Sequence, residues 1–316
     1  EKEALPEIPD RDPVRYLSIR YSYPKWLVKR VLALLGREEA EEFLALGNSQ
    51  PPTAVQINSL LFKTDWVRES LEREGVTVKE SNLLPDCLLL AGTGNLEKLI
   101  AYQAGAFYVQ DPAARFAVLA MGLSPGMRVL DVCAAPGGKS FAAAIVMGNR
   151  GEILACDLHG NKLKRIQEGA DLMGLTSIRT EAADGRVCCP EWTEQFDAVL
   201  VDAPCSGLGI IRKKPDVRYK KAEELLSLPV VQHDVLDNAA AYVRPGGLLV
   251  YSTCTILPEE NSQTADAFLA EHPDFSRETF SLPSVGQVPG EITLWPQRHG
   301  TDGFYICRMR RQARKL

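Results

Sequence analysis

The sequence predicts an α/β protein in which a parallel sheet, covered by helices on both faces, follows a small α+β domain. After Gly105, apolar strand-like runs alternate with longer helical stretches, which is the order expected of a parallel sheet with crossover helices. A glycine-rich turn follows the first of these runs. Two cysteines, Cys205 and Cys254, each follow a later run, where a side chain can reach the crevice above such a sheet.

The chain before Gly105 has a mixed pattern of shorter elements. We expect a small α+β domain over residues 1–105 and a second domain over residues 106–316, in line with the usual prior of ~150 residues per domain. The elements predicted in the first domain are two helices over residues 23–47 broken at Gly36, a strand over 54–58, a helix over 66–74, and short strands from Val76.

Five apolar runs predict the parallel sheet of the second domain. They are residues 128–132, 152–156, 177–181, 198–201 and 247–252. The chain has 316 residues, of which 45% are hydrophobic and 24% charged, so a core of ordinary size is available to cover this sheet.

The overall charge of the protein does not indicate nucleic-acid binding, but two segments of the sequence are rich in basic residues. A net charge of −5 and a pI near 5.6 lack the basic surface typical of nucleic-acid binders. Basic residues are nevertheless concentrated in residues 211–221, directly after Cys205, and again in residues 308–315. Such runs are commonly solvated faces or tails. The position beside a candidate site favours a functional interpretation for the first run only.

Several classes of protein are disfavoured by what the sequence lacks. No apolar run approaches the ~20 residues that span a bilayer, and the N-terminus has the wrong composition for a signal peptide, so we expect a soluble, cytoplasmic protein without a membrane partner. Eight cysteines without a CxxC pair, and four histidines without metal-ligand spacing, indicate reduced thiols and no metal site. The chain begins at Glu1 without methionine, which is typical of processing or of a domain that precedes this sequence.

The glycine-rich turn, residues 131–140, reads DVCAAPGGKS between a predicted strand and a predicted helix. Small residues allow the backbone to approach a ligand, and the helix N-terminus supplies free amides. A P-loop is excluded because its motif needs a glycine where Cys133 stands, and the dinucleotide fingerprint GxGxxG is absent. The turn therefore predicts a site for a nucleotide-like cofactor.

Acidic residues follow successive predicted strands. Asp157 ends the strand after the turn, where it can accept hydrogen bonds from two ribose hydroxyls. Asp184 and Asp202 follow the next two strands. A single aspartate after a strand is commonly a turn former or a helix cap. Three aspartates in corresponding positions after successive strands favour a ligand-binding crevice at that edge of the sheet.

At these residues the chain resembles the RNA 5-methylcytosine methyltransferases, and within them the RsmB (Sun, Fmu) enzymes of the small ribosomal subunit. The matching stretches are PGGKS, DAPCSG with GIIRKKPD, YSTCT with PEEN, YVQDPA and DGFY. The likeness covers nearly the whole chain, including YPKWLVKR near the N-terminus. Both cysteine motifs at this spacing are highly specific for the family.

The resemblance implies a Rossmann-like methyltransferase that binds S-adenosylmethionine. It implies that Cys254 is the catalytic nucleophile and that Cys205 assists release. From the chemistry of the addition, we also expect Asp202, protonated or paired with a protonated ring nitrogen, to bind the cytosine edge and Lys139 to orient it. The implied cofactor-binding residues are Cys133, Ala134, Ala135, Pro136, Gly137, Gly138, Lys139, Asp157, Asp184 and Asp202. The resemblance also implies a preceding domain that is similar to the antitermination factor NusB.

The expected partner is RNA, most specifically 16S rRNA, bound by a monomer. The residues predicted to contact RNA are Asn58, Lys63, Arg212, Lys213, Lys214 and Arg218. Three alternatives remain open: a cytosine enzyme acting on tRNA or another RNA, a methyltransferase acting on DNA or another base, and a non-catalytic rRNA-binding assembly factor. The DNA cytosine enzymes use the Pro-Cys cysteine as nucleophile and would not need Cys254, and an assembly factor would need neither cysteine.

Overall fold

The computed structural model describes residues 11–314, and within them it contains sheets of four and eight strands and a two-stranded hairpin. The sequence expectations that concern residues 1–10 and Lys315 lie outside the described residues. The elements of the N-terminal part are α1 (Pro13–Tyr21), α2 (Lys25–Leu46), β1 (Thr53–Ile57), α3 (Thr64–Arg73), β2 (Thr77–Glu80), β3 (Cys87–Ala91), α4 (Ile100–Gln103) and β4 (Phe107–Val109).

The remaining elements form the larger part of the molecule. They are α5 (Pro112–Ala120), β5 (Arg128–Asp131), α6 (Gly138–Val146), β6 (Glu152–Asp157), α7 (Gly160–Leu172), β7 (Ile178–Ala182), β8 (Phe196–Asp202), α8 (Leu228–Ala240), β9 (Val243–Thr253), α9 (Ser262–Glu271), β10 (Phe275–Arg277), β11 (Phe280–Leu282), β12 (Gly286–Val288), β13 (Glu291–Leu294), α10 (Pro296–His299) and β14 (Phe304–Arg311).

The large sheet has the strand order β10-β14-β9-β8-β5-β6-β7, with β13 paired to β14. Strands β9, β8, β5, β6 and β7 are parallel, so the five predicted strands and the α/β fold class are confirmed. The chain order reverses at β5, which lies between β6 and β8. Ligands bind at such a switch point in open α/β sheets, and the glycine-rich turn follows β5.

Helices cover both faces of this sheet because alternate residues of each strand point to opposite sides. On one face, Val129 and Leu200 belong to a core that includes Phe116, Phe141 and Ile166 of α5, α6 and α7. On the other face, the core contains residues of β5, β8, α8 and α9, namely Leu130, Val199, Val201, Val235, Leu236 and Phe268. The predicted two-sided architecture is therefore confirmed.

The small sheet has the order β2-β3-β1-β4, and all its pairs are antiparallel. Residues of α3 and α4, including Val67, Leu71 and Ala101, cover it in a separate core with Val55 and Phe107. The proposed boundary after residue 105 precedes β4, whose pairing with β1 joins it to the small sheet.

The two N-terminal helices pack against the larger part of the molecule. Leu27 and Val31 of α2 share a core with Leu208 and Ile211, which follow Cys205, and with Ile256, which follows Cys254. The predicted helix break is confirmed, since Gly36 has φ 74° and ψ −177° inside α2. The helical pair therefore supports the two loops that carry the cysteines, a contact that the sequence did not indicate.

A close approach of two glycines joins these loops to the segment before β14. Gly209 donates its N–H to the carbonyl of Cys254 at 2.9 Å, and Gly303 donates to the carbonyl of Gly209 at 2.9 Å. A Cβ added at Gly209 would lie 1.8 Å from the Gly303 carbonyl oxygen and 2.9 Å from that of Cys254. Since both obstacles are backbone atoms, only glycine fits at this position.

We expect Gly209→Ala to lower the free energy of unfolding by at least the ~1–3 kcal/mol typical of an overpacked site, because the added methyl group must displace backbone. Denaturant unfolding measures the change. The matched control is Gly160→Ala, where nothing lies within 4 Å of an added Cβ. Equal stability of the two variants would contradict the packing described here.

Candidate active site

The two cysteine loops meet at one edge of the large sheet. Strands β8 and β9 are parallel neighbours with Asp202 in register with Ser252, so the chain leaves both strands at the same level. Three residues beyond Asp202 lies Cys205, and two beyond Ser252 lies Cys254. Their sulfur atoms are 3.3 Å apart, within hydrogen-bonding distance. The sequence motifs placed these cysteines at strand ends, and strand pairing brings them into contact.

The environment distinguishes the two thiols. The pKa of Cys254 is lowered, first by the hydrogen bond from Cys205 and further by the charge of Lys139, against the opposing effects of burial and Asp202. The pKa of Cys205 is raised well above its ordinary value by the same hydrogen bond, by burial and by the charges of Cys254 and Glu260. The pair therefore loses its first proton from Cys254, which becomes a thiolate held by the S–H of Cys205.

An ion pair lies beside the cysteines. Lys139 donates from Nζ to Oδ2 of Asp202 at 2.6 Å, and Ser252 donates from Oγ to Oδ1 at 2.8 Å. Burial lowers the pKa of Lys139, but the charge and hydrogen bond of Asp202 outweigh it and the net pKa is raised. Lys139 therefore remains an ammonium group, and its Nζ lies 5.4 Å from the ring centroid of Phe304.

The glycine-rich turn contains two features that fit a bound nucleoside cofactor. Helix α6 has no side-chain cap at Gly137, which has φ 108°, so its first amides point to the crevice without a capping partner among the described residues. Beneath the turn, Asp131 accepts from Ser140 through Oδ2, while Oδ1 is buried without a described partner. Burial raises the pKa of Asp131 to about 7.

The other predicted cofactor residues are arranged around this crevice. Asp157 ends β6, and Asp184 follows β7. Asp157 accepts only one described hydrogen bond at Oδ1, from the N–H of His159, and lies 3.5 Å from Lys162, so it keeps free lone pairs for hydroxyl groups. Hydrogen bonds from Arg186 lower the pKa of Asp184 to about 2. Cys133 to Gly138 form the turn itself, and burial raises the pKa of the Cys133 thiol.

Four of the six residues predicted to contact RNA make intramolecular contacts instead of facing solvent freely. Asn58 is fully buried and donates to the carbonyls of Gly105 and Met173. Arg218 is 5% exposed, donates to Asn48 and Gly47, and lies over the ring of Tyr23. Arg212 and Lys213 pair with Asp302, and Lys213 also pairs with Asp111 at 2.6 Å. Lys63 and Lys214 are exposed, and Lys213 is also exposed although it is paired.

The charged cluster around Lys213 was not foreseen from the sequence. Its carboxylates belong to Asp111, the N-cap of α5, and Asp302, whose side chain is 5% exposed. Burial and the neighbouring Asp111 raise the pKa of Asp302 to about 6. The YVQDPA and DGFY stretches contain both residues, but the motifs alone did not indicate that they meet a lysine from the basic run.

Sequence reasoning also missed a buried network behind the cysteines. Glu260 is 1% exposed and accepts hydrogen bonds from the backbone N–H of Ser206 and the side chain of Gln232. The PEEN stretch contained Glu260 without assigning it a role, and nothing in the sequence singled out Gln232.

No helix within residues 11–314 combines the length and apolarity needed to cross a membrane, and no cluster of three or more metal-ligating side chains occurs in that range.

The fold and the site define an S-adenosylmethionine-dependent methyltransferase. The family model described as 16S rRNA methyltransferase RsmB/F matches residues 118–310, and the ferredoxin-like domain of RsmF/B-like methyltransferases matches residues 23–97. The chain belongs to this RsmB/F family, which confirms the resemblance found in the motifs.

Individual relatives agree with this assignment. The probable ribosomal RNA small subunit methyltransferase B of Bacillus subtilis is 37% identical over 99% of this chain and 72% of its own length. That of Pseudomonas syringae pv. tomato is 33% identical over 95% of this chain and 67% of its own.

Solved structures agree on the fold. The crystal structure of PH0851 is 33% identical, with a TM-score of 0.88 over 97% of this chain and 70% of that one. NSun6 from Pyrococcus horikoshii, solved with SFG, is 21% identical with a TM-score of 0.79 over 92% of this chain and 99% of that one, which bears on the fold alone.

We expect Asp157→Ala to raise the Kd for S-adenosylmethionine at least about tenfold, because a hydrogen bond to a charged group contributes about 1.5–3 kcal/mol. Isothermal titration calorimetry measures the change. Asp171→Ala, at an exposed aspartate of α7, is the control. Equal affinity of the two variants would remove Asp157 from the cofactor site.

We expect Lys213→Met to lower the free energy of unfolding by about 1–3 kcal/mol, because Asp111 and buried Asp302 lose the ammonium group that donates to both of them. Lys214→Met, at the neighbouring exposed lysine, should change stability by less than about 0.5 kcal/mol. Chemical denaturation of both variants measures the difference. A stable Lys213→Met protein with weakened RNA binding would favour a phosphate contact instead.

Proposed function

We propose that the protein transfers a methyl group from S-adenosylmethionine to carbon 5 of a cytosine in 16S rRNA, through a covalent bond between Cys254 and carbon 6. The observation that carries this proposal is the pair of sulfurs 3.3 Å apart in which Cys254 has the lowered pKa and Cys205 the raised one. A single nucleophile would not need a second thiol in contact with it. Covalent attachment followed by release needs both.

The need for a thiolate follows from the chemistry of cytosine. Carbon 5 is too weak a nucleophile to take a methyl group unaided. Addition of the Cys254 thiolate to carbon 6 forms a C6–S bond and moves the electrons of the C5–C6 double bond into an enamine system, which makes carbon 5 nucleophilic. When bound, S-adenosylmethionine supplies the electrophilic methyl group.

The pair of Lys139 and Asp202 is placed to hold the cytosine edge. Lys139 keeps two N–H donors beyond its bond to Asp202, and each Asp202 oxygen keeps a lone pair. The pair therefore offers a donor to N3 or O2 of cytosine and an acceptor to its exocyclic amine. Because Asp202 pairs with an ammonium group, it acts as a carboxylate, and Lys139 stabilises the electron-rich ring after thiolate addition.

Cys205 is placed to take the proton that must leave carbon 5. Once Cys254 is bonded to carbon 6 it no longer carries a charge, so a main obstacle to ionising Cys205 is removed. In the adduct, Cys205 first loses its thiol proton to water. The proton of carbon 5 then passes to the Cys205 thiolate, the C–H electrons restore the C5–C6 double bond, and the C6–S electrons return to Cys254. This step regenerates the thiol and thiolate of the free protein.

The RNA target is proposed from the family and from the reach of the thiol. A base within a helical stack cannot expose carbon 6 to Cys254, so single-stranded RNA or a flipped base is expected. The names of the relatives support ribosomal RNA of the small subunit. Exposed Lys63 and Lys214 are the proposed phosphate contacts, with salt-sensitive binding as their signature.

We expect Cys254→Ala to abolish methyl transfer, because no thiolate can then add to carbon 6, while Cys205→Ala should accumulate a covalent protein–RNA adduct, because release lacks its proton acceptor. Transfer of labelled methyl to unmodified small-subunit rRNA, nucleoside analysis and denaturing gels measure the outcome. Cys307→Ala, at a buried cysteine of β14 away from the pair, is the control.

A fully active Cys254→Ala protein would contradict the proposal. Methylation of tRNA in preference to small-subunit rRNA would agree with the proposed mechanism but show that the substrate is tRNA. Binding of rRNA without any transfer, in the presence of bound cofactor, would favour a non-catalytic assembly factor.

A further inference from the structure

A carboxylate lies behind the cysteine pair and connects the two loops that carry it. Glu260 lies in the short turn after the Cys254 loop, and its side chain is enclosed. Its Oε2 accepts from the backbone N–H of Ser206 at 2.8 Å and from Nε2 of Gln232 at 2.9 Å. Its Oε1 lies 3.5 Å from the hydroxyl of Thr255.

These bonds fix the backbone on both sides of Cys205. Gln232 of α8 also donates to the carbonyl of Pro204, the residue before Cys205, at 3.0 Å. The same amide group donates to Glu260, whose carboxylate binds Ser206, the residue after Cys205. The hydroxyls of Ser206 and Thr255 are 2.6 Å apart and join the two loops directly. The Cys205 side chain therefore has little freedom to move relative to Cys254.

The carboxylate also sets the charge around Cys205. The described hydrogen-bond donors to Glu260 are a backbone amide, an amide side chain and a hydroxyl, all neutral, so its negative charge is not cancelled by a cation. The other titratable groups that face Cys205 are Cys254, Asp202 and Tyr251. The nearby cations are Lys139, on the Cys254 side, and Lys220, which donates to the Ser206 carbonyl at 2.8 Å.

We propose that Glu260 is a positioning residue for the release step, which fixes the loop around Cys205 and keeps this thiol a strong proton acceptor. The inference rests on the proposed function and extends it to a residue that touches neither RNA nor cofactor. The negative charge opposes a second negative charge on Cys205, and it thereby favours transfer of the carbon 5 proton to that sulfur. Its contribution to the raised pKa of Cys205 agrees in direction.

Glu260→Gln tests the charge with the shape retained. The new amide oxygen can still accept from Ser206 and Gln232, and the new NH₂ can donate to Thr255. The first measurement uses free protein without RNA: thiol ionisation is followed by ultraviolet absorbance and by the rate of alkylation against pH. The Cys205–Cys254 pair titrates with two midpoints. We expect the higher of these two to fall, because removal of a negative charge makes ionisation of Cys205 easier.

The second measurement follows the reaction on RNA. We expect single-turnover methyl transfer to stay near the wild-type rate, while steady-state turnover at alkaline pH, where Cys205 of the adduct is ionised in both proteins, falls about tenfold, less than the 10²–10⁴-fold that loss of a general base costs. The adduct should accumulate on denaturing gels, and the pH at which release reaches half its maximal rate should move downward. Glu259→Gln is the matched control, since Glu259 is the adjacent glutamate and pairs with Arg30 at the surface.

Three results would overturn the inference: an unchanged upper thiol midpoint, unchanged turnover, or an equal loss of methyl transfer and turnover. If Glu260→Gln unfolds below the assay temperature, Gln232→Met replaces it. This variant removes the donor that stabilises the Glu260 carboxylate and fixes Pro204, so steady-state turnover must fall more than single-turnover methyl transfer, and an equal loss of both contradicts the inference. Absence of 5-methylcytosine with wild-type protein would refute the proposed function, while the thiol titration would still decide whether Glu260 acts on Cys205.

Discussion

The parallel pairing of β8 with β9 is the constraint on which the site depends. It places Asp202 level with Ser252 and sends the chain into two loops that start side by side. The bond from Gly209 to the carbonyl of Cys254 then closes one loop on the other. Two thiols far apart in sequence thereby come into contact. A shift of register by one residue would turn each strand-end side chain to the opposite face.

Two chemically identical side chains acquire different properties from their surroundings. Their mutual hydrogen bond separates the two pKa values first; Lys139 then further favours a thiolate at Cys254, and burial and Glu260 further disfavour one at Cys205. In the proposed mechanism, this separation of two like groups by their environments lets one site supply both a nucleophile and a proton acceptor. The polarity across the pair is built into the fold, because Lys139 lies in the first turn of α6 and Glu260 follows β9.

The sequence predicted the parts of this arrangement that depend on local pattern. The five parallel strands, the break at Gly36 and the cysteines at strand ends follow from apolar runs and turns. The burial of basic side chains could not be predicted from local sequence pattern. Arg218 lies in a basic run, and that run reads the same whether Arg218 faces solvent or lies over Tyr23. The antiparallel β14 and the packing of α2 on the cysteine loops depend on contacts between distant segments, which periodicity does not contain.

The central claim, that Cys254 and not Cys205 bonds to the base, is tested most directly by RNA carrying 5-fluorocytosine. Fluorine at carbon 5 cannot leave as a proton, so release is blocked with both cysteines intact. Digestion of the trapped complex and mass spectrometry then identify the attached residue. We predict a nucleotide on the peptide that contains Cys254. A nucleotide on the Cys205 peptide, or the absence of any adduct while unmodified cytosine is methylated, would contradict the account.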